Sequence, residues 1–247
     1  MIYRFLSKLA TLDRLEAFPI PVPGTNKFDD VPWIDVYEAK FKLLTQDPAV
    51  PGVKLFQAPL YDTVKPRGMC LRFHEGKEQN AVLPDIWGIA NKLVVSAKFK
   101  SVIEANDVMQ HEFLPIEWLD WQEKPIKTDQ AYFWFNQRRY LKIEPSVRIA
   151  KAAELGFCPI DWEEDFLARV VDTPSLRETI EQFPIWQHYG LEGPDCRKNQ
   201  ARAVLFMNEQ LVKACREQGI KGMDLYSEKY GKGEEALCGI YQHTELM

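Results

Sequence analysis

Few side chains in this sequence combine the type and the spacing that chemistry requires. A zinc-protease helix needs two histidines four residues apart, and His111-Glu112 is followed at that interval by Pro115. His74, His111, His188 and His243 stand far from one another, and a lone histidine is more often a hydrogen-bonded structural residue than a ligand. Cys70, Cys158, Cys196, Cys215 and Cys238 form no CxxC pair, so neither a zinc knuckle nor a redox couple is signalled. Cys158 with a distant histidine could make a nucleophile and its base. Set between Phe157 and Pro159-Ile160, however, it reads as a packed, inert thiol. There is no GxSxG elbow, P-loop or GxGxxG turn. The expectation is therefore a chain with no catalytic residue, no metal site and no cofactor.

Two charged clusters remain. In Asp161-Trp162-Glu163-Glu164-Asp165 the acids suit a solvated helix start, where they complement the positive end of the helix dipole. With Trp162 among them they also suit a basic partner surface. A hard cation ranks last, because the glycine-punctuated Ca²⁺ loop is missing. Arg138-Arg139, beside Tyr140, could hold a phosphate or stack on a base. In an acidic chain they read rather as solvated arginines of a hairpin.

The elements that would position these groups follow from pattern. Alternate prolines in Phe18-Pro-Ile-Pro-Val-Pro-Gly24 make an extended piece that cannot be a central strand. Val53–Tyr61 and Met69–Phe73 read as strands. Lys92–Ser96 is a strand whose last residue caps a helix over Ala97–Ala105, and His111–Trp118 returns as a strand. The same grammar recurs later. Ala203–Met207 is a strand, Asn208 a cap, Glu209–Gln218 a helix closed by Gly219, and Gly222–Tyr226 a return strand. Gln130–Phe135 reads as a buried aromatic strand and Thr173–Glu181 as a helix with Pro174 in its first turn. The expected fold is α+β, a single compact unit with two related strand–helix–strand modules and additional strands. An N-terminal extended and strand-rich portion (1–82) would pack on a main domain (83–247).

The 247 residues are 46% hydrophobic and 12% aromatic, enough for a sizeable core and too apolar for disorder. The net charge of −5 is spread over both halves, which argues against nucleic acid as a partner. Arg4 and Lys8 interrupt the N-terminal apolar residues before a signal core could form, and no later stretch is long enough to span a membrane. Five reduced thiols in the cytoplasm are expected.

Leu83-Pro-Asp-Ile86, Leu93–Ile103 and His111-Glu-Phe-Leu-Pro-Ile-Glu117 resemble, in order, the "PDI" turn, helix start and "H-F-P-v" strand of a bacterial family. That family was formerly a domain of unknown function and is now grouped with the immunity proteins of polymorphic toxin systems. Val204–Lys213 and Ile220–Leu225 are similar to its C-terminal strand, helix and ending. The resemblance covers about 83–120 and 200–227. It implies a non-enzymatic protein that binds and neutralises a cognate toxin with a basic surface. Composition names Trp162, Glu163, Glu164, Asp165 and Trp186 as the partner-binding residues. The alternative is an enzyme acting on a small molecule or nucleotide through an unrecognised site.

Overall fold

The computed structural model describes residues 1–6, 17–21, 42–46, 53–60, 69–78, 83–89, 92–143, 174–188, 205–228 and 241–246. The first half of the chain supplies β1 (Ile2–Leu6), β2 (Ala17–Pro21), β3 (Lys42–Gln46), β4 (Val53–Gln57), β5 (Met69–Phe73), β6 (Ile86–Ile89), β7 (Lys92–Ser96), α1 (Ala97–Asn106) and β8 (Glu112–Leu119). The second half supplies β9 (Tyr132–Asn136), β10 (Arg139–Ile143), α2 (Pro174–Glu181), β11 (Ile185–His188), β12 (Leu205–Asn208), α3 (Glu209–Glu217), β13 (Asp224–Glu228) and β14 (Tyr241–Leu246). The fold is α+β. One sheet has the order β14-β13-β1-β12-β11-β10-β4-β3 and the other β2-β5-β8-β9-β7-β6. All pairings are antiparallel except β10–β11 and β5–β8. Proline-rich β2 lies at a sheet edge, where a missing donor costs no ladder bond. No helix among the described residues is long and apolar enough to cross a membrane.

The two strand–helix–strand modules correspond in register. In the first, β7 and β8 run parallel with antiparallel β9 between them, and α1 makes the crossover. In the second, β12 and β13 run parallel with antiparallel β1 between them, and α3 makes the crossover. Phe135 of β9 sits between Leu93 and Phe113, and Phe5 of β1 sits between Leu205 and Leu225. The interval from cap to cap, 208 − 96, equals that between return strands, 224 − 112. Each first strand is also matched: Ile86 of β6 pairs Val95, and Ile185 of β11 pairs Met207. From the N-terminal segment, β1 is the middle strand of the second module.

Local chemistry accounts for the helices. Ser96 and Asn208 have extended backbones, and their side-chain oxygens accept from the N–H groups of Phe99 and Leu211. After α3, Gly219 turns left-handed at φ +59°, while its N–H donates to Arg216 C=O and that of Ile220 to Cys215 C=O, a complete Schellman closure. The helices bury Phe99, Val102 and Ile103 against Leu211, Val212 and Cys215, in one core shared with Phe5, Leu93, Val95, Phe135, Leu205 and Leu225. A second core, on the other face of the six-stranded sheet, gathers Phe73, Val94, Trp118, Tyr132 and Trp134.

A polar staple joins the modules. Asp85 N–H donates to Lys221 C=O (2.8 Å), and its carboxylate accepts from Lys221 N–H (2.9 Å), from Ser96 Oγ (2.7 Å) and from Gln130 Nε2 (3.1 Å). Gly222 does not open the return strand as the pattern suggested. It sits at φ +99° before β13, where an added Cβ would come within 2.3 Å of Ile86 C=O. The turn is therefore pressed directly onto the first module.

Candidate functional site

The residues that look most like catalytic machinery lie where the chain passes between the sheets. Between β9 and β10 only Gln137 and Arg138 intervene, so backbone groups lose ladder partners and side chains must replace them. Arg139 meets Asp107 in a bidentate pair of 2.6 and 2.7 Å, and its Nη1 also donates to Ile185 C=O. Asp107 further accepts from Met109 N–H at 2.9 Å and contacts His111 Nε2 at 3.1 Å. Arg138 donates through Nε to Ala58 C=O and through Nη1 to Gln110 C=O. The hairpin of solvated arginines expected from the sequence is not what forms. Both residues are buried, Arg138 at 8% and Arg139 at 3% exposure, where Asp107 pairs with the Arg139 charge and the carbonyls of Ala58, Gln110 and Ile185 accept from the two guanidinium groups.

An aspartate against a histidine suggests acid–base catalysis, but both ring nitrogens are already engaged within the protein. A backbone N–H can only donate, and that of Arg138 points at His111 Nδ1 from 3.1 Å. Nδ1 is then the acceptor, and Nε2 carries the proton given to Asp107. No ring nitrogen remains to take a substrate proton. Burial is the largest influence on His111 and pushes its pKa below the usual 6.5, with Asp107 opposing and the charges of Arg139 and Arg138 reinforcing. For Asp107, burial works against ionisation. The hydrogen bonds from His111 and Arg139, and the Arg139 charge, overcome it and hold the carboxyl far below its usual range. The cluster is a structural ion pair.

The thiols that can be placed are also inert. Cys70 and Cys215 are buried and unpaired in disulfides, and burial raises both pKa values, that of Cys215 to about 12. Cys158 lies outside the described residues, as do Trp162, Glu163, Glu164 and Asp165. Trp186 is not on the surface. It lies in β11, between β10 and β12, at 0% exposure and stacks on Phe206 with ring centroids 4.2 Å apart. A ring so placed packs the core and presents nothing to a partner. No group of three or more His, Cys, Asp and Glu is gathered for a metal among the described residues.

The surface offers a different tryptophan. After β8 the chain turns tightly through Asp120-Trp-Gln-Glu-Lys124. Asp120 N–H donates to Lys124 C=O (2.9 Å) and Glu123 N–H to Asp120 C=O (3.1 Å). The Asp120 carboxylate accepts from the N–H groups of Gln122 and Lys124, each at 2.8 Å. Glu123 holds φ +64°, and its carboxylate accepts from Arg72 Nη1 at 2.8 Å. A non-glycine residue in this region carries strain of roughly 1 kcal/mol or more, so the bonds around it over-determine the turn. Trp121 rides on that turn 43% exposed. No protein-family model matches the chain, and no curated protein matches it.

The chain leaving the turn walls a cleft of about 320 Å³. Phe73, Leu83, Ile126 and Tyr132 give it apolar surface, and Glu78 and residues 127–130 line its polar side. Of these, Phe73 stacks on Trp118 at 5.1 Å and Tyr132 meets the same ring edge-on at 5.7 Å. Burial and the charges of Asp85 and Asp129 push the Tyr132 phenol up to about 12 against a hydrogen bond with Gln130, leaving it neutral at physiological pH. Sequence reading missed both features. The turn had one local signal, a polar Asp-x-x-Glu-Lys-Pro stretch following a strand. The cleft had none, since its walls come from three separated segments.

Proposed function

We propose that this chain is a non-catalytic recognition protein of the immunity type, which binds and neutralises a cognate toxin domain in the cytoplasm by protein–protein contact. The observation that carries this reading is Trp121, a large apolar ring held out of the core on a turn locked by four hydrogen bonds of Asp120. Interfaces draw most of their energy from a few such aromatic anchors, and a pre-ordered anchor loses little entropy on binding. Glu117, exposed on β8, and the net charge of −5 suit a basic partner and would speed encounter. Asp85, Ser96 and His111, from the segments that carry the family resemblance, have structural bonds in the staple and the ion pair.

The test is co-expression with the toxin encoded beside it. Growth should be rescued and the two proteins should form a complex. Trp121→Ala should leave stability within about 0.5 kcal/mol. It should weaken the complex by about 30-fold, the loss of roughly 2 kcal/mol typical of a central anchor. Failure of the wild-type protein to protect or to bind would overturn the reading. The acidic run at Glu163, Glu164 and Asp165 is the second contact named, and replacing all three by lysine should slow association.

A further inference from the structure

We propose that His111 is a proton-operated latch at the junction between the two sheets, which opens when its Nδ1 takes up a proton. The proposal does not depend on the toxin-binding reading. Arg138 stands where the chain leaves β9 for β10, and three segments are tied there. Its Nε donates to Ala58 C=O and its Nη1 to Gln110 C=O, each at 2.8 Å. Ala58 N–H donates in return to Arg138 C=O at 2.9 Å. Two residues earlier, Asn136 Nδ2 donates to Pro59 C=O at 3.0 Å. The backbone N–H of Arg138 donates to His111 Nδ1 at 3.1 Å. The segment after β4, the loop before β8 and the crossover thus meet at one residue, and His111 holds its backbone.

The ring can hold that bond only while it is neutral. Nε2 already carries the proton that faces Asp107 Oδ2 at 3.1 Å, so a second proton must go to Nδ1. Nδ1–H and Arg138 N–H would then meet as two donors in a residue 7% exposed, and their bond is lost until the backbone moves. The two arginines act in the same direction, because both face the ring from the crossover and disfavour the imidazolium. Asp107, at the end of α1, opposes them, but it is already bound by both terminal nitrogens of Arg139 and by Met109 N–H. Glu112, next on β8, accepts from Asn136 Nδ2 at 2.8 Å, and the Phe135 ring meets that of His111 at 5.6 Å. The same bonds fix the loop 107–110, through Asp107 and through Gln110 C=O. Val108 in this loop is fully exposed, so opening the latch also releases the loop that presents it.

Hydrogen exchange and nitrogen NMR on the full chain test the latch. At pH 7.5 the ring nitrogens of His111 should report the Nε2–H tautomer. An open junction returns His111 to its usual value of 6.5, so acid favours opening by up to about tenfold per unit below it. Protection of the Arg138 amide should therefore fall about tenfold between pH 7.5 and 5.5. A latch opens without global unfolding, so the amides of Val102 in α1 and Val212 in α3 should stay better protected by about tenfold or more. Low denaturant should speed exchange at Val102 and Val212 and leave Arg138 nearly unaffected. His111→Gln should abolish the pH dependence at Arg138. If that variant does not fold, the tautomer and the denaturant dependence of the wild-type protein decide the matter. An Nδ1–H tautomer or an imidazolium at pH 7.5 would overturn the proposal. So would an Arg138 amide whose protection is unchanged in acid, one that exchanges only together with Val102 and Val212, or an equal fall in His111→Gln.

Discussion

His111 binds its proton less readily in the folded protein than in the unfolded chain, because burial disfavours the imidazolium. Below the usual value of 6.5 the unfolded state takes up the proton first, so stability falls as pH drops from 6.5 toward the depressed folded pKa, and is fully present above 6.5. Denaturant titrations at pH 7.5, 6.5 and 5.5 should show this decline, and His111→Gln should flatten it. Arg139 makes a sharper case. Removing it in Arg139→Met leaves Asp107 charged and buried, at a cost of roughly 3–5 kcal/mol by chemical denaturation. The double variant with Asp107→Leu should recover much of that loss, since a buried pair replaced by apolar groups is often neutral. None of this was legible beforehand. Asp107 lies 32 residues from Arg139 and Ala58 lies 80 from Arg138, and burial supplied over such distances leaves no local pattern.

Elements whose causes are local were legible. Ser96, Asn208 and Gly219 act within one helical turn of where they stand, so their types announced both helices and their ends. The central strands fared similarly where β-branched or aromatic residues ran together, as in β7 and β9. Gly222 shows where such reading stops. The apolar residues that follow it suggest a strand, whereas its role depends on Pro84 and Ile86, more than a hundred residues earlier. Gly222→Ala should cost about 3 kcal/mol or more, because the new methyl meets backbone that cannot retreat and the φ is unfavourable. Gly76→Ala is the control. Its φ of +74° carries the same conformational cost, but an added Cβ meets nothing within 4 Å, so a loss of about 1 kcal/mol is expected. Thermal unfolding of the two variants separates steric contact from backbone preference. Trp121 belongs to this scale as well, since the hydrogen bonds of Asp120 and Glu123 hold its turn and the ring merely occupies it.

At the scale of the molecule, the repeated grammar of strand, cap, helix and strand announced two modules, but not which strands complete them. β9 follows β8 and fills the first, while β1, from the far end of the sequence, fills the second. If each half of the chain is taken to begin with its middle strand, β1 opens the first half and β9 the second, and each enters the other's module. The halves therefore donate strands to one another, in the manner of a swapped dimer whose subunits share one polypeptide. A chain severed at Trp121 should then behave as two complementary fragments. Expressed alone, 1–121 and 122–247 each lack the strand that closes a sheet and expose unpaired edges, so each should aggregate or remain unfolded. Expressed together they should co-elute as a one-to-one complex with native far-UV dichroism. A fragment that folds stably by itself would show that the exchanged strand is dispensable.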